Sequence, residues 1–187
     1  MEVTLRLATL ADVNEVLNLH YLYQIDSIAE EDKQDGFITT AFTQSHLVAL
    51  IEEEQGLFVA IVENQIVAYA MSASWAFWCQ WPMFQFMVEH LSDTTLDGNE
   101  ITVNNSYQYG PVCVDKRVRG SGVFEQLFQY TRVKMSARYS YLITFINQIN
   151  TRSYQAHTRK VGLQVMKEFE FNQQRYFKLG CLTTPAN

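Results

Sequence analysis

The fold is decided by residues 107–122, which read Tyr107-Gln108-Tyr109-Gly110-Pro111-Val112-Cys113-Val114-Asp115-Lys116-Arg117-Val118-Arg119-Gly120-Ser121-Gly122. Residues 107–114 are β-type at both ends, and the Gly-Pro pair between them predicts a bulge or bend in a strand. After the second loop glycine, residues recur at helical spacing; they are Val123, Phe124, Leu127, Phe128, Thr131 and Met135. The stretch therefore predicts a strand, a glycine loop and a helix in direct succession.

The glycine loop has the form of a phosphate-binding turn. Residues without Cβ let successive backbone N–H groups converge on an anion at the positive end of a helix. Arg117 and Arg119 add positive charge, although alternation along the chain argues against both reaching one ligand. A glycine turn that merely starts a helix explains the loop equally well. The Walker loop does not fit its spacing, and Glu125 stands where the dinucleotide fingerprint has its third glycine.

Hydrophobic periodicity predicts further elements on both sides of this stretch. They are a strand over 3–7, a helix that begins after Thr9, a helix over 45–53, a hairpin of strands 57–62 and 66–71, a strand over 141–149, a helix over 150–160 ended by Gly162, and a closing hairpin of strands 163–171 and 175–179. Glu30-Glu31-Asp32 and Gly36 predict a loop. In the first helix, the spacing turns Val13, Val16, Leu17 and His20 to the core and Asp12, Glu15 and Asn18 to water.

Residues 76–104 form an aromatic-rich insertion between the predicted hairpin and the strand predicted over residues 107–114. A short helix is expected after Pro82, and a turn at Asp97-Gly98-Asn99. So long a connection often carries function, and its rings are suited to wall a pocket for a cationic amine. An ordinary aromatic core or a dimer contact explains the same cluster.

The composition of the 187-residue chain predicts one globular domain, since 48% of the residues are hydrophobic. A net charge of −6 provides no global field for a phosphate backbone, which argues against nucleic acid as a partner. Three scattered cysteines predict a reducing compartment and no structural zinc. The first residues show no basic region followed by an apolar core, and no apolar run approaches the roughly 18 residues of a membrane span. We therefore expect a cytoplasmic protein without a membrane partner.

The pattern R-x-x-G-x-G after a strand resembles the acyl-CoA signature of the GNAT superfamily of N-acyltransferases. The predicted order of elements is similar to that family across nearly the whole chain. Residues 6–12 resemble the family's common start, and Asn150-Thr151-Arg152-Ser153 with Gly162-Leu163 resembles its late segment. The resemblance implies a single N-acetyltransferase domain over 1–187. Its fold would be α/β, a central mixed, mostly antiparallel sheet with a splayed parallel strand pair, flanked by helices.

The resemblance also implies a binding site for acetyl-CoA as the acyl donor, with no metal. The strand end at Val112, Cys113 and Val114 would pair with the pantetheine arm of the cofactor. The backbone amides from Arg117 through Val123 would hold its pyrophosphate. The candidate binding residues in this run are Arg117, Arg119, Gly120, Ser121, Gly122 and Val123. Asn150 and Ser153 would touch the cofactor from the following helix. For Asn150, the role of a helix N-cap is equally compatible.

The activity implied is transfer of an acetyl group to a primary amine of a small molecule or peptide, by direct attack in a ternary complex. Many family members protonate the departing thiolate with a tyrosine seven positions beyond the asparagine, where this chain has His157. Tyr154 lies on the same helical face, so either residue is a candidate acid. Compared with the family, one extra residue stands between His157 and Gly162. No acidic residue lies at 107–109, which favours a chain of water molecules as the base.

Two other interpretations remain open. A CoA-binding module without catalysis would keep the loop, and Phe124 supports it because the family commonly has a small residue there. A protein-interaction module would use the aromatic insertion as a partner surface, and a homodimer is compatible with the same rings. Cys113 lies between two valines and is more typical of a small buried residue than of a nucleophile.

Overall fold

The structure is a computed structural model that describes residues 1–24 and 26–184. The strands of this part are β1 Thr4–Leu7, β2 Leu57–Val62, β3 Gln65–Ala73, β4 Thr95–Leu96, β5 Asn99–Glu100, β6 Ser106–Val114, β7 Tyr141–Asn147, β8 Gln164–Phe171 and β9 Gln174–Leu182. The α-helices are α1 Val13–Tyr23, α2 Gln44–Glu52, α3 Trp75–Trp78, α4 Pro82–Glu89, α5 Val123–Met135 and α6 Thr151–Gln155. Short 3-10 helices cover Leu10–Asp12, Glu30–Asp35, Leu91–Asp93 and Lys116–Val118, and Ala156–Lys160 is π-helical.

Seven strands form a mixed sheet in the order β1-β2-β3-β6-β7-β9-β8. Strands β6 and β7 pair in parallel from Ser106 opposite Tyr141 to Gln108 opposite Ile143. The β1–β2, β2–β3, β7–β9 and β8–β9 pairs are antiparallel. The predicted fold class, a mixed α/β fold whose sheet contains a parallel pair, is thereby confirmed. No helix of the described residues is long and apolar enough to cross a membrane.

The chain divides into two compact units. The first contains residues 1–72 and 110–131, and the second contains 73–109 and the residues from 132 onward. Strand β6 and helix α5 therefore each pass from one unit into the other. The loop that follows β6 belongs entirely to the first unit, together with α1 and α2.

The helical segment of the first unit begins after Thr9, as predicted, with the 3-10 turn Leu10–Asp12 leading directly into α1. Its Asp12 does not face water but is 8% exposed. The carboxylate accepts hydrogen bonds from the Thr9 amide at 2.7 Å and from both terminal nitrogens of Arg6 at 2.7 and 2.9 Å. These bonds satisfy its charge, and the Arg6 guanidinium lowers the pKa of Asp12 to about 2. Glu15 and Asn18 are exposed, and His20 is buried, as predicted.

The aromatic insertion supplies much of the core of the second unit. Trp78 and Phe84 of the insertion are fully buried, as is Trp75 just before it. The rings of Trp78 and Phe84 stack at 4.7 Å between centroids, and Phe84 meets the edge of Phe145 on β7 at 5.4 Å. The Nζ of buried Lys178 on β9 donates to two carbonyl oxygens just beyond the end of α4, at His90 (2.9 Å) and Leu91 (3.1 Å). The three fully buried rings therefore belong to the core, whereas Trp81 is half-buried.

The hairpins follow the predictions because each is closed by two residues with positive φ. These are Glu63 and Asn64 between β2 and β3, and Asn172 and Gln173 between β8 and β9. Asp97 and Gly98 make the predicted turn between β4 and β5. The prediction of a loop was wrong at Glu30–Asp35, which forms a 3-10 helix. Strand β7 also ends at Asn147, earlier than predicted.

Candidate functional site

Strand β6 departs from regular strand geometry at its middle, where the sequence predicts a bulge or bend. Gly110 has a φ of 96°, a backbone conformation that side chains with a Cβ rarely adopt. Beyond it Cys113 is 4% exposed, whereas Val112 and Val114 on either side are half-buried. Burial raises the pKa of the Cys113 thiol far above its ordinary value. Cys113 therefore acts as a small core residue, and the accessible part of the strand end is at its neighbours.

The glycine loop adopts the conformation that only glycine takes readily. Gly120 and Gly122 have φ of 80° and 87°. A Cβ added at Gly120 would have no atom within 4 Å, so the loop surface is open there. Within residues 1–24 and 26–184, the amides of Gly120, Gly122 and Val123 donate to no other backbone or side-chain group. Since Val123 is the first residue of α5, these N–H groups stand at the positive end of a 13-residue helix.

The two loop arginines both bind protein groups at the base of the loop. The Arg117 guanidinium donates to Asp115 Oδ2 at 2.8 and 3.1 Å, and the Arg117 amide donates to Asp115 Oδ1 at 2.9 Å. This ion pair lowers the pKa of Asp115. Arg119 Nε donates to the Val114 carbonyl oxygen at 3.0 Å. The arginines therefore hold the geometry of the loop, and they place positive charge beside it.

A buried network beneath the strand end was not found from the sequence. Nδ1 of His20 on α1 lies 2.8 Å from the hydroxyl oxygen of Tyr69 on β3. Burial, together with the nearby Cys113 thiol, raises the pKa of Tyr69 well above its ordinary value. Burial lowers the pKa of His20 to about 4, so the imidazole is neutral near pH 7. His20 and Tyr69 are 49 residues apart in the chain. Helical spacing predicts a core-facing His20 but gives no signal for its partner.

In the second unit, Asn150 is the N-cap of α6. Its Oδ1 accepts the Ser153 amide at 3.1 Å, and its own amide donates to the Asn147 carbonyl at 2.9 Å. Asn150 is buried and Ser153 is half-buried. The capping role that the sequence allowed for Asn150 is thereby confirmed, and it fixes the first turn of the helix that carries Tyr154.

The two candidate acids occupy different surroundings. The buried His157 ring has Nδ1 2.8 Å from the Ser153 carbonyl oxygen. Because a carbonyl oxygen only accepts, Nδ1 carries the proton, and burial lowers the pKa of His157 to about 4. The His157 ring also meets the edge of the Tyr109 ring at 5.9 Å. Tyr154 is half-buried, with its ring 4.5 Å from the ring of Phe177. Of the two, Tyr154 is the more accessible.

The extra residue before Gly162 has a structural explanation. Residues Ala156–Lys160 form a π-helical turn, which holds more residues than an α-helical turn. His157 lies inside this turn and Tyr154 lies before it. Gly162 then ends the helix with a φ of 71°, as the sequence predicts.

Comparisons with known proteins find similarity in structure alone. Neither a sequence-family model nor a curated protein sequence matches the chain. An N-acetyltransferase from Staphylococcus aureus Mu50 is 18% identical at a TM-score of 0.62, covering 98% of this chain and 100% of that one. A putative acetyltransferase from Salmonella typhimurium, solved with its cofactor acetyl-CoA, is 13% identical at a TM-score of 0.65, covering 98% and 95%.

A GNAT-family acetyltransferase from Streptococcus pneumoniae is 12% identical at a TM-score of 0.63, covering 97% of this chain and 99% of that one. In all three comparisons the similarity extends over nearly the full length of both chains. The order of strands and the glycine loop before α5 agree with the resemblance drawn from the sequence. The chain therefore has the fold of the GNAT acetyltransferases.

Proposed function

We propose that this protein is an N-acetyltransferase that transfers an acetyl group from acetyl-CoA to a primary amine of a small molecule or peptide. The observation that carries the proposal is the open glycine loop between β6 and α5. Its amides at Gly120, Gly122 and Val123 form a compact group of N–H donors at a helix N-terminus, which suits a pyrophosphate. Three structures of the same fold are acetyltransferases by description, and one was solved with acetyl-CoA.

In this proposal the cofactor is bound mainly by residues of the first unit. The backbone of residues 112–114 pairs with the pantetheine arm, and the loop amides hold the pyrophosphate. Arg117 and Arg119 add positive charge while they fix the loop through Asp115 and Val114. Acetyl-CoA supplies a thioester that is activated toward an amine. Contacts of Asn150 and Ser153 with the cofactor stay predictions from the resemblance.

The proposed acid is Tyr154, with its hydroxyl donating a proton to the departing sulfur. His157 is less suited to that role, because it is neutral near pH 7 and its Nδ1 proton is bound to the Ser153 carbonyl. Residues 107–109 carry no carboxylate, so we propose that water molecules accept the proton from the amine. The acceptor amine itself is proposed only as a class.

The test is calorimetric titration of the wild-type protein and of Gly120→Asp with acetyl-CoA. The new carboxylate would stand at the open face of the loop and repel the pyrophosphate, so we expect binding to weaken at least about 100-fold. Gly98→Asp is the matched control, because Gly98 also has a positive φ of 77° and open space around its Cβ position. It lies in the β4–β5 turn, and binding should match the wild type.

The outcomes separate the proposal from its alternatives. Undiminished binding by Gly120→Asp would refute the assignment of the loop. Binding without thiol release in a screen of amines would favour the non-catalytic CoA-binding module. Half-buried Phe124 in the first turn of α5, 6.4 Å from Phe128 between ring centroids, is the observation that supports that alternative.

A further inference from the structure

The last residue of α1 contacts the loop that follows β6. The hydroxyl oxygen of Tyr23 accepts a hydrogen bond from the Lys116 amide at 2.8 Å, although the two residues are 93 positions apart. Lys116 begins the 3-10 turn Lys116–Val118, which leads directly into the glycines. The contact therefore fixes the first residue of the loop against a helix of the same unit.

A second contact joins Tyr23 to the same loop. The Arg119 guanidinium lies over the Tyr23 ring, with its central carbon 5.0 Å from the ring centroid. Arg119 also donates from Nε to the Val114 carbonyl oxygen at 3.0 Å, so one side chain joins Tyr23 to the strand end. The hydroxyl and the ring of Tyr23 thus hold two points of the loop, at Lys116 and at Arg119.

The surroundings of Tyr23 keep it in the form that both contacts require. Tyr23 is half-buried, and burial raises the pKa of its phenol, so the hydroxyl stays neutral near pH 7. The Tyr23 carbonyl oxygen accepts the Ile38 amide at 2.9 Å, which fixes the backbone at the end of α1. A tyrosine held at both backbone and ring gives the loop a rigid support.

We propose that Tyr23 is a positioning residue for the cofactor: it prearranges the glycine loop so that the amides of Gly120, Gly122 and Val123 are set before the pyrophosphate arrives. This inference rests on the proposed function. Tyr23 does not touch the cofactor; it acts through Lys116 and Arg119. Prearrangement strengthens binding because less freedom of the loop is lost when the ligand binds.

The experiment measures acetyl-CoA dissociation constants by calorimetry for the wild type, Tyr23→Phe and Tyr23→Leu. Tyr23→Phe removes the acceptor for the Lys116 amide but keeps the ring, so we expect binding to weaken about 3- to 10-fold. Tyr23→Leu also removes the ring under Arg119, so we expect about 10- to 50-fold. Tyr21→Phe is the matched control, since Tyr21 lies on the same helix and its hydroxyl donates to Phe42 instead.

A double-mutant cycle with Arg119→Ala separates positioning from a general loss of stability. If the ring of Tyr23 acts through Arg119, then in the Arg119→Ala background Tyr23→Leu should bind no more than about twofold more weakly than Tyr23→Phe, because both variants lose the hydroxyl and the ring no longer has Arg119 to hold. Additive losses, or an equal loss in Tyr21→Phe, would overturn the inference. If Tyr23→Leu does not fold, the dissociation constant of acetyl-CoA for Tyr23→Phe alone tests the inference. If the wild type binds acetyl-CoA and the Tyr23 variants bind it with the same dissociation constant, only the role of Tyr23 is overturned. If the wild type does not bind acetyl-CoA, the proposed function is overturned as well.

Discussion

His157 and Tyr154 show how one turn of helix separates two residues that the sequence treats alike. Both lie on the same predicted face, three positions apart. The structure buries His157 against Tyr109 and ties its Nδ1 to the Ser153 carbonyl, while Tyr154 stays half-buried beside Phe177. A hydrogen bond to a main-chain carbonyl is a local packing feature, and no spacing rule predicts it.

Tyr154→Phe should lower kcat about 100-fold while leaving the dissociation constant of acetyl-CoA nearly unchanged, because only the proton donor is removed. His157→Gln should change kcat less than about threefold, since glutamine also donates a hydrogen bond to the Ser153 carbonyl. The measurement is steady-state thiol release with an amine found by screening. The reverse ranking of the two variants would assign the acid to His157.

At the scale of elements, the junction of α2, β2 and β3 depends on one glycine. The Gly56 amide donates to the Leu50 carbonyl at 2.9 Å, and its carbonyl accepts the Ser72 amide at 2.7 Å. A Cβ at this position would lie 1.8 Å from the Ser72 carbonyl oxygen. The approach of the two backbones thus leaves no space for any side chain.

Gly56→Ala should lower the free energy of unfolding by about 2–4 kcal/mol, because β2 and β3 must separate or lose their hydrogen bonds. Urea unfolding with a matched Gly98→Ala variant would measure it. Gly98 has open space but a positive φ, so only about 1 kcal/mol of strain is expected there. Equal losses in the two variants would show that the close approach at Gly56 contributes nothing of its own.

Elements with a local signal could be predicted from the sequence, and contacts between distant residues could not. The hairpins, the strand, loop and helix around Gly120, and the N-cap Asn150 all have local causes in turn residues, glycines and side-chain capping. The hydrogen bonds from Lys116 to Tyr23 and between His20 and Tyr69 join residues 93 and 49 positions apart. The 3-10 helix Glu30–Asp35 lacks hydrophobic periodicity, so its composition resembles a loop.

For the whole molecule, two buried histidines determine how stability depends on pH near neutrality. Burial lowers the pKa values of His20 and His157 to about 4, from an ordinary value of 6.5. Above the ordinary value neither the folded nor the unfolded chain is protonated at these sites. As the pH falls from about 6.5 to about 4, the unfolded chain binds these protons first, so the folded state loses stability.

Each histidine should contribute up to about 1.4 kcal/mol of lost stability per pH unit in this window. Urea unfolding at pH 7, 6 and 5 would measure the slope for the wild type and for His157→Gln, which cannot titrate. We expect the variant to have the shallower slope, with His20 supplying what remains. A wild-type stability that does not change between pH 7 and 5 would contradict the burial of both rings in neutral form.

The π-helical turn Ala156–Lys160 has a consequence for matching this chain to others. An α-helix turns by about 100° per residue. A turn that holds one extra residue therefore shifts the side chains beyond it by about 100° around the helix axis. Counting seven positions from Asn150 leads to His157, inside the shifted turn. Beyond Gln155, counting residues along the chain therefore no longer gives the position of a side chain around the helix. The counterpart of a catalytic side chain in this helix must be found by superposing structures.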